Sequence, residues 1–560
     1  MKNIIKFVLA AVCSAVLASS CIKEILPQES LATKDQVAEA PGSYNNFVNA
    51  ITSTLVGQFI YAGSDNRLYD LGYPAMMLCR DFMGQDVVYP YQNWFTYWYT
   101  IQNLGPSYAL SQIPWTYYYG WIKSCNNVIS LAGEEPDADR IAGAGIAYAM
   151  RAFFYLDLAR MFAQKSYTAD KSSVSVPIVN ETTTLDALSH NPRATNEEMY
   201  AFILSDLDKA EKYLANYNRP DFTTPDLSVV YGIKARAYLD MGDWENARKY
   251  AKDAQKGHSI MSSDEYTSRE TGFNTPNEAW MLGGQYKSDD PQILNNDADS
   301  SWGSVMCIEI NPETSGCGYA ANYGQPVAID RHLYETIPAT DIRKACFVDF
   351  AIDELGSDEE KIQALSSYSA HPEWALTASA AIQSYYEGHV GGLPYKFRTA
   401  GGEAGRNNQY VGFCVAVPFM RVEEMYLIEA EAAGRINESE GIDLLTKFAK
   451  LRDPNYTYGT HNEAYGNTST SRFVNEVWWQ RRVEFWGEGL ATFDIKRLDK
   501  GVIRSYENTN HDPDFAYNYL EGAHPSWMDY CIVQTETNYN YDCTNNPDPL
   551  KPNPATPFVW

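Results

Sequence analysis

From about residue 114 to residue 256 the apolar positions recur at helical spacing, in paired runs separated by turn residues. The run "PWTYYYGWIKSCNNVISLAG" predicts a helix with Pro114 at its start and Gly133 at its stop. In "DADRIAGAGIAYAMRAFFYLDLARMF" the residues Ile141, Ile146, Met150, Phe153, Phe154 and Leu158 line one face. "TNEEMYAFILSDLDKAEKYL" opens with Thr195 and Glu198 at the spacing of a capping box. "DLSVVYGIKARAYLDMGDWENARKYAKDAQKG" predicts two short helices joined at Gly242-Asp243. Its small and large residues alternate (Ala235, Tyr238, Leu239, Trp244, Ala247, Ala254), as close-packed helix pairs require.

A second helical block is predicted over 417–451, "VPFMRVEEMYLIEAEAAGRINESEGIDLLTKFAKLR", with a turn at Gly434-Arg435. One more helix follows from Arg472 to about Gly487. Between the blocks, residues 257–416 lose the helical period and fill with Gly, Asn, Ser, Asp and Tyr, and "NEAWMLGGQY" and "SVMCIEI" read there as short strands. The expected fold is therefore mainly α. A helical scaffold over 41–256 and 417–500 carries an irregular lobe over 257–416, and an extended tail over 505–560 is rich in proline.

The first twenty residues change the picture. Lys2 and Lys6 precede an apolar run from Phe7 to Ala18, too short for a membrane span and flanked as an export signal is. "VLASSC" then resembles the cleavage box of bacterial lipoproteins, with Cys21 as the lipidated residue and 21–40 as a polar tether. A plain secretory signal cut nearby is the competing reading. Residues 41–560 are expected to form a single unit.

Composition narrows the function. With 45% apolar residues, 21% charged, 41 Tyr, 22 Phe and 13 Trp, the chain is neither disordered nor a coiled coil. Tyrosine in such excess serves recognition surfaces as readily as cores. The net charge of −27 leaves no basic stripe for a phosphate backbone, so nucleic acid is not expected as a partner. Of the cysteines beyond Cys21, Cys307 with Cys317 and Cys531 with Cys543 are near enough in sequence to close small loops, though spacing does not decide pairing. No Cys-x-x-Cys, Gly-x-Ser-x-Gly, phosphate-cradling loop with lysine or His-Glu-x-x-His occurs. No metal, cofactor or catalytic residue is assigned. "DADSSW" at 297–302 begins like a calcium loop, but Trp302 stands where the turn glycine belongs, so a solvated turn is expected.

Several stretches, taken in order, resemble the SusD/RagB family of cell-surface nutrient-binding lipoproteins. They are the lipoprotein start, "WTYYYGWIKSCNNVI", "AMRAFFYLDLARMFA" followed by "VPIV", "YAFILSDLDKAEKYL", the helix pair at 226–256, "RVEEMYLIEAEA" and "RRVEFWGEGLATFDIKRL". In the last, Arg481 or Arg482, Glu484, Glu488-Gly489, Asp494 and Arg497 fill the family's charged places. The resemblance implies tetratricopeptide-like helix pairs overlaid by an irregular lobe. It also implies an outer-membrane, surface-exposed, lipid-anchored protein without catalytic activity, which passes oligosaccharide, or in some members peptide, to a SusC-like TonB-dependent barrel transporter. A secreted glycoside hydrolase is the reading from another class, since two facing carboxylates can never be excluded in so acidic a chain.

A sugar offers apolar C–H faces and a rim of hydroxyls, which flat aromatics with nearby Asp, Arg and Asn match. "CRDFMGQDVVYPYQNWFTYWYTIQNL" supplies Arg80, Asp81, Tyr89, Tyr91, Asn93, Trp94 and Trp98 as candidate contacts, although Trp98 and Tyr99 suit a helix core equally well. The regions where the family holds glycans add Trp302, Tyr319 and Tyr323. The charged run at 481–498 reads instead as architecture. Glu484 and Glu488, one helical turn apart, need an arginine between them, which Arg421 or Arg435 can supply, while Arg481 can meet Glu484.

Overall fold

The computed structural model describes residues 42–57, 69–89, 95–314, 318–382, 386–464 and 466–560. The signal, the tether and Cys21 lie outside these residues, as do Tyr91, Asn93, Trp94 and Cys317. Val48–Trp560 makes one compact unit.

The unit is mainly α, as expected. Its principal helices are α1 (Tyr73–Phe82), α2 (Ala109–Ala132), α3 (Ile141–Phe162), α4 (Asn196–Leu214), α5 (Leu227–Met241), α6 (Trp244–Ala254), α7 (Val422–Ile436), α8 (Glu438–Ala449) and α9 (Arg472–Glu484). From α2 to α8 each helix packs on the next, and α9 closes the stack against α7 and α8. The lobe at 257–416 is thus an insertion between α6 and α7, which remain stacked neighbours.

Local chemistry sets the helix ends. Thr195 and Glu198 form the predicted capping box on α4. Gly242, at φ 70°, ends α5 in the left-handed region, and Asp243 caps α6 by accepting from the Asn246 amide. Two expected boundaries move. Pro114 lies inside α2, which starts at Ala109, while Gly133 caps the helix as predicted. Gly434 makes no turn, because α7 continues to Ile436. A Cβ on Gly434 would fall 2.1 Å from the Phe473 ring, and one on Gly441 would fall 2.3 Å from the Gly434 Cα. The two glycines let α7, α8 and α9 touch.

The α3 helix is buried on nearly every side rather than along one face. It is long and apolar enough to cross a membrane, but its surroundings are the bundle core, with 89% of the apolar window inside the protein.

The lobe contains few strands. β1 (Val87–Val88) pairs antiparallel with β3 (Ala328–Ile329), and β2 (Trp280–Gln285) pairs antiparallel with β4 (Ala416–Arg421). "NEAWMLGGQY" is therefore a strand as predicted. "SVMCIEI" is not: Ser301 caps a short helix, Trp302–Met306, and coil follows. β4 occupies the first residues of what the periodicity predicted as helix, with Pro418 opposite Gly283. Cys531 and Cys543 are buried free thiols rather than a disulfide.

Candidate functional site

The charged run at 481–498 and the "CRDFMGQD" stretch meet in the interior. Arg482 pairs with Asp86, its Nε 2.9 Å from Oδ2, and Arg481 Nε lies 2.6 Å from Asp494 Oδ2. Glu484 accepts from Arg452 (3.1 Å), Arg421 (3.2 Å) and Arg343 (3.4 Å). Glu488 accepts from Arg421 (2.8 Å) and Lys396 (2.7 Å). Arg421 thus bridges the two glutamates as expected. Arg435 instead reaches Glu431 and stacks on Trp244, and Arg481 turns away from Glu484. Burial pushes the Glu484 carboxyl upward, but the arginines Arg452, Arg421 and Arg343 outweigh it and hold the group well below the usual carboxylate range.

The same geometry corrects five of the sequence-predicted ligand contacts. Arg80 is buried, donating to Asp157 (2.9 Å), Tyr118 (3.1 Å) and the Gly489 carbonyl (2.9 Å). Asp81 accepts from the Gly489 amide at 2.8 Å and the Ala491 amide at 3.3 Å. Burial pushes its carboxyl up to about 7. Tyr89 stacks on Phe82 inside the protein, Trp98 packs against Phe95, and Trp302 meets Phe397 edge to face. These groups hold the core together and reach no ligand. Arginine and aspartate beside aromatics suit a buried ion pair in a ring-lined core as well as they suit a sugar, and the local pattern does not separate the two.

Tyr319 and Tyr323 behave differently. They lie on a turn with their ring centroids 5.0 Å apart; Tyr319 is half-buried and Tyr323 keeps 42% of its surface in solvent. The turn is built by its neighbours: Tyr319 N donates to Ser304 Oγ (3.0 Å), and Asp299 accepts from Gly318 N (3.1 Å) and the Tyr323 hydroxyl (3.4 Å). Asp299 is buried, which pushes its carboxyl up to about 6, so "DADSSW" is a packed turn and not the solvated one expected. Among the described residues no three His, Cys, Asp or Glu side chains gather to hold a metal. Gly324, at φ 61°, backs directly onto the chain at Ala381, where a Cβ would lie 2.3 Å from the carbonyl carbon. Tyr410, 39% exposed, donates its hydroxyl to Asp297 at 3.0 Å.

Three residues past Tyr323, Pro326 enters the lining of a cavity of about 290 Å³. Val88, Pro326, Ala328, Ile382 and Leu393, with the Phe350 ring, give it an apolar floor; Arg331, Asp353, Glu354, His389 and Asn508 give it polar walls. Each wall is fixed. Asp353 accepts from the Val390 and Gly391 amides at 2.7 and 3.0 Å. Asn510 accepts from Arg331 N at 2.8 Å and donates to the Ile329 carbonyl at 2.9 Å. The Tyr386 hydroxyl donates to the carbonyls of Thr509 (3.1 Å) and His511 (2.8 Å), joining two loops across the cavity. Asn508 stands at φ 62°, a left-handed conformation asparagine tolerates, and its side chain is exposed at the edge.

Apolar floor, planar rings and convergent amide, carboxylate and guanidinium groups match what a small polar ligand with hydrocarbon faces requires. The family resemblance pointed to the region of the tyrosine turn but not to the cavity. Its lining comes from segments as far apart as Val88 and Asn510, and nothing local in any one of them marks it.

Two family models match the chain: one described as the SusD family over residues 359–548, the other as starch-binding associating with outer membrane over residues 75–239. SusD-like protein P38 of Formosa agariphila is 22% identical over 430 residues, which is 71% of this chain and 75% of that protein. Among solved structures, a SusD-like carbohydrate binding protein from Bacteroides vulgatus aligns with a TM-score of 0.68 and 23% identity, covering 90% of this chain and 97% of the other. Surface glycan-binding protein A from Bacteroides thetaiotaomicron, solved in complex with laminarihexaose, aligns with a TM-score of 0.60 and 16% identity, covering 90% and 99%. The matched stretches contain the α2 to α5 stack at one end and, at the other, the helices whose arginines and glutamates interlock around Arg421. In both matched stretches the chain is similar to the SusD/RagB family.

Proposed function

We propose that this protein is a non-catalytic glycan-binding lipoprotein of the bacterial outer-membrane surface. It would be anchored through Cys21 and would pass captured oligosaccharide to a SusC-like TonB-dependent barrel. The observation that carries the reading is the cavity of about 290 Å³, whose lining residue Pro326 follows the Tyr319–Tyr323 turn by three positions. Its volume lies near the lower end of the roughly 300 to 1,000 Å³ span of small-ligand sites. The rings extend the contact surface outward, so that one sugar unit sits against the apolar floor while its neighbour lies across the tyrosines.

Tyr91, Asn93 and Trp94 follow Tyr89 in sequence and remain part of the proposed contact set. The relatives' names support the reading: one family model is called starch-binding associating with outer membrane, and one structural neighbour was solved in complex with laminarihexaose. The test is a glycan array probed with the full chain in detergent, followed by an assay for hydrolysis of every hit. Glycan binding without sugar release supports the proposal. Binding confined to peptides, or release of sugar, contradicts it.

A further inference from the structure

The cavity's charges are distributed unevenly. Its two basic lining groups are already engaged: Arg331 Nε lies 2.8 Å from Glu335 Oε1, and His389 Nδ1 lies 3.6 Å from Asp353 Oδ2. The Arg331 guanidinium is further held over the Phe350 ring, 5.2 Å from its centroid. On the acidic side Glu354 is exposed at the cavity edge and has no basic partner among the described residues. Glu387 lies on the loop between the lining residues Tyr386 and His389, and Glu507 directly precedes Asn508; both are exposed.

A helix start is the other common receptor for an anion, because its first amides point outward without partners. Here that receptor is closed. In the short helix Arg331–Thr336 the first three amides are taken by protein groups: Arg331 N by Asn510 Oδ1 (2.8 Å), His332 N by the Tyr506 hydroxyl (3.0 Å) and Leu333 N by Asp330 Oδ1 (2.9 Å). An incoming carboxylate or sulfate would have to displace Glu335 from Arg331 and would face the Glu354 carboxylate. It would do so on a protein whose whole field is negative, with a formal charge of −27. A hydroxyl-bearing ring meets no such obstacle, since Glu354 and the Asn508 amide both accept from hydroxyls.

We infer that the cavity selects sugar chains that carry no carboxylate or sulfate groups. This rests on the glycan reading above and narrows it to one chemical class. The experiment is an array carrying uncharged gluco-, xylo-, manno- and galacto-oligosaccharides beside uronate-containing and sulfated ones of equal length, probed with the full chain in detergent at low salt and again in 0.5 M NaCl. Uncharged chains are expected to provide the tightest ligands, with charged analogues of the same length roughly tenfold or more weaker. Salt should leave the uncharged ligands unmoved and narrow that gap, because screening weakens the repulsion.

Glu354→Lys should raise the ratio of affinities, charged over uncharged chain, by about tenfold. Tightest binding to a uronate or sulfated chain, or an affinity ratio that Glu354→Lys leaves unchanged, overturns the inference while leaving glycan capture standing. An array with no glycan bound at all overturns glycan capture itself and this inference with it.

Discussion

Arg421 Nε donates to Glu488 Oε2 at 2.8 Å with both side chains sealed from solvent, and the same guanidinium reaches Glu484, so one arginine separates two carboxylates that would otherwise repel. The pair joins the end of β4 to the loop after α9 and sets the approach of the lobe to the helical stack. Removing one partner leaves the other charged and buried, which costs about 3 to 5 kcal/mol. Glu488→Gln and Arg421→Met are each expected to lower stability by that order in urea titration. An unchanged midpoint would mean that the bridge holds nothing in place.

The glycine contact between α7 and α8 yields a second stability prediction. A Cβ at Gly441 has the Gly434 backbone at 2.3 Å, and backbone yields less readily than a side chain. Gly441→Ala is expected to destabilise the fold by roughly 1 to 3 kcal/mol, although alanine is the better helix former. Thermal unfolding of the variant beside the native chain decides it; a rise in melting temperature would contradict the packing described for the three helices.

Asp81 should leave a signature in pH. Burial holds its proton in the folded state up to about pH 7, whereas the unfolded chain releases it near 3.8. Between these values the folded state binds more protons, so this group's contribution to stability rises as the pH falls and is lost as the pH climbs through about 7. Asp81→Asn removes the dependence. Relative to that variant, the native chain is expected to gain stability steadily from about pH 7 down to about pH 4 and to stay level below. Parallel stability curves for the two chains would contradict the raised value.

These residues also mark how far the sequence alone reaches. The capping box at Thr195 and Glu198 and the Gly242-Asp243 junction were legible because each is decided within one helical turn. That Glu484 and Glu488 share an arginine was legible because two carboxylates one turn apart demand a cation, but the choice of Arg421 over Arg435 was decided only by the fold. Gly434 was misread as a turn because its role depends on Phe473 and Gly441, which only the folded stack brings to it. Arg80, Asp81, Tyr89, Trp98 and Trp302 were misread as ligand contacts for the converse reason. Their partners Asp157, Gly489 and Phe397 come from distant segments and bury them. Tyr319 and Tyr323 were named only from the region where the resembling family holds glycans, and the cavity lined from Pro326 onward has no local mark.

The tyrosine turn can be tested without disturbing the core, since Tyr323 is 42% exposed and its hydroxyl makes a long bond, 3.4 Å, to Asp299. Tyr323→Ala and Tyr319→Ala are each expected to weaken glycan binding about fivefold to tenfold, the usual worth of one aromatic contact, with unfolding midpoints close to the native one. Trp94→Ala should act in the same direction. Isothermal titration with the tightest array ligand measures all three, and unchanged affinities would remove these rings from the site.

The central claim is capture of glycan without catalysis. Its most direct measurement is calorimetric titration of the full chain in detergent with array-selected oligosaccharides, each mixture then assayed for new reducing ends. The account predicts saturable binding, weakened by Tyr323→Ala, and no new reducing ends. Binding of peptides with no glycan bound, or reducing ends that accumulate with time, would contradict it.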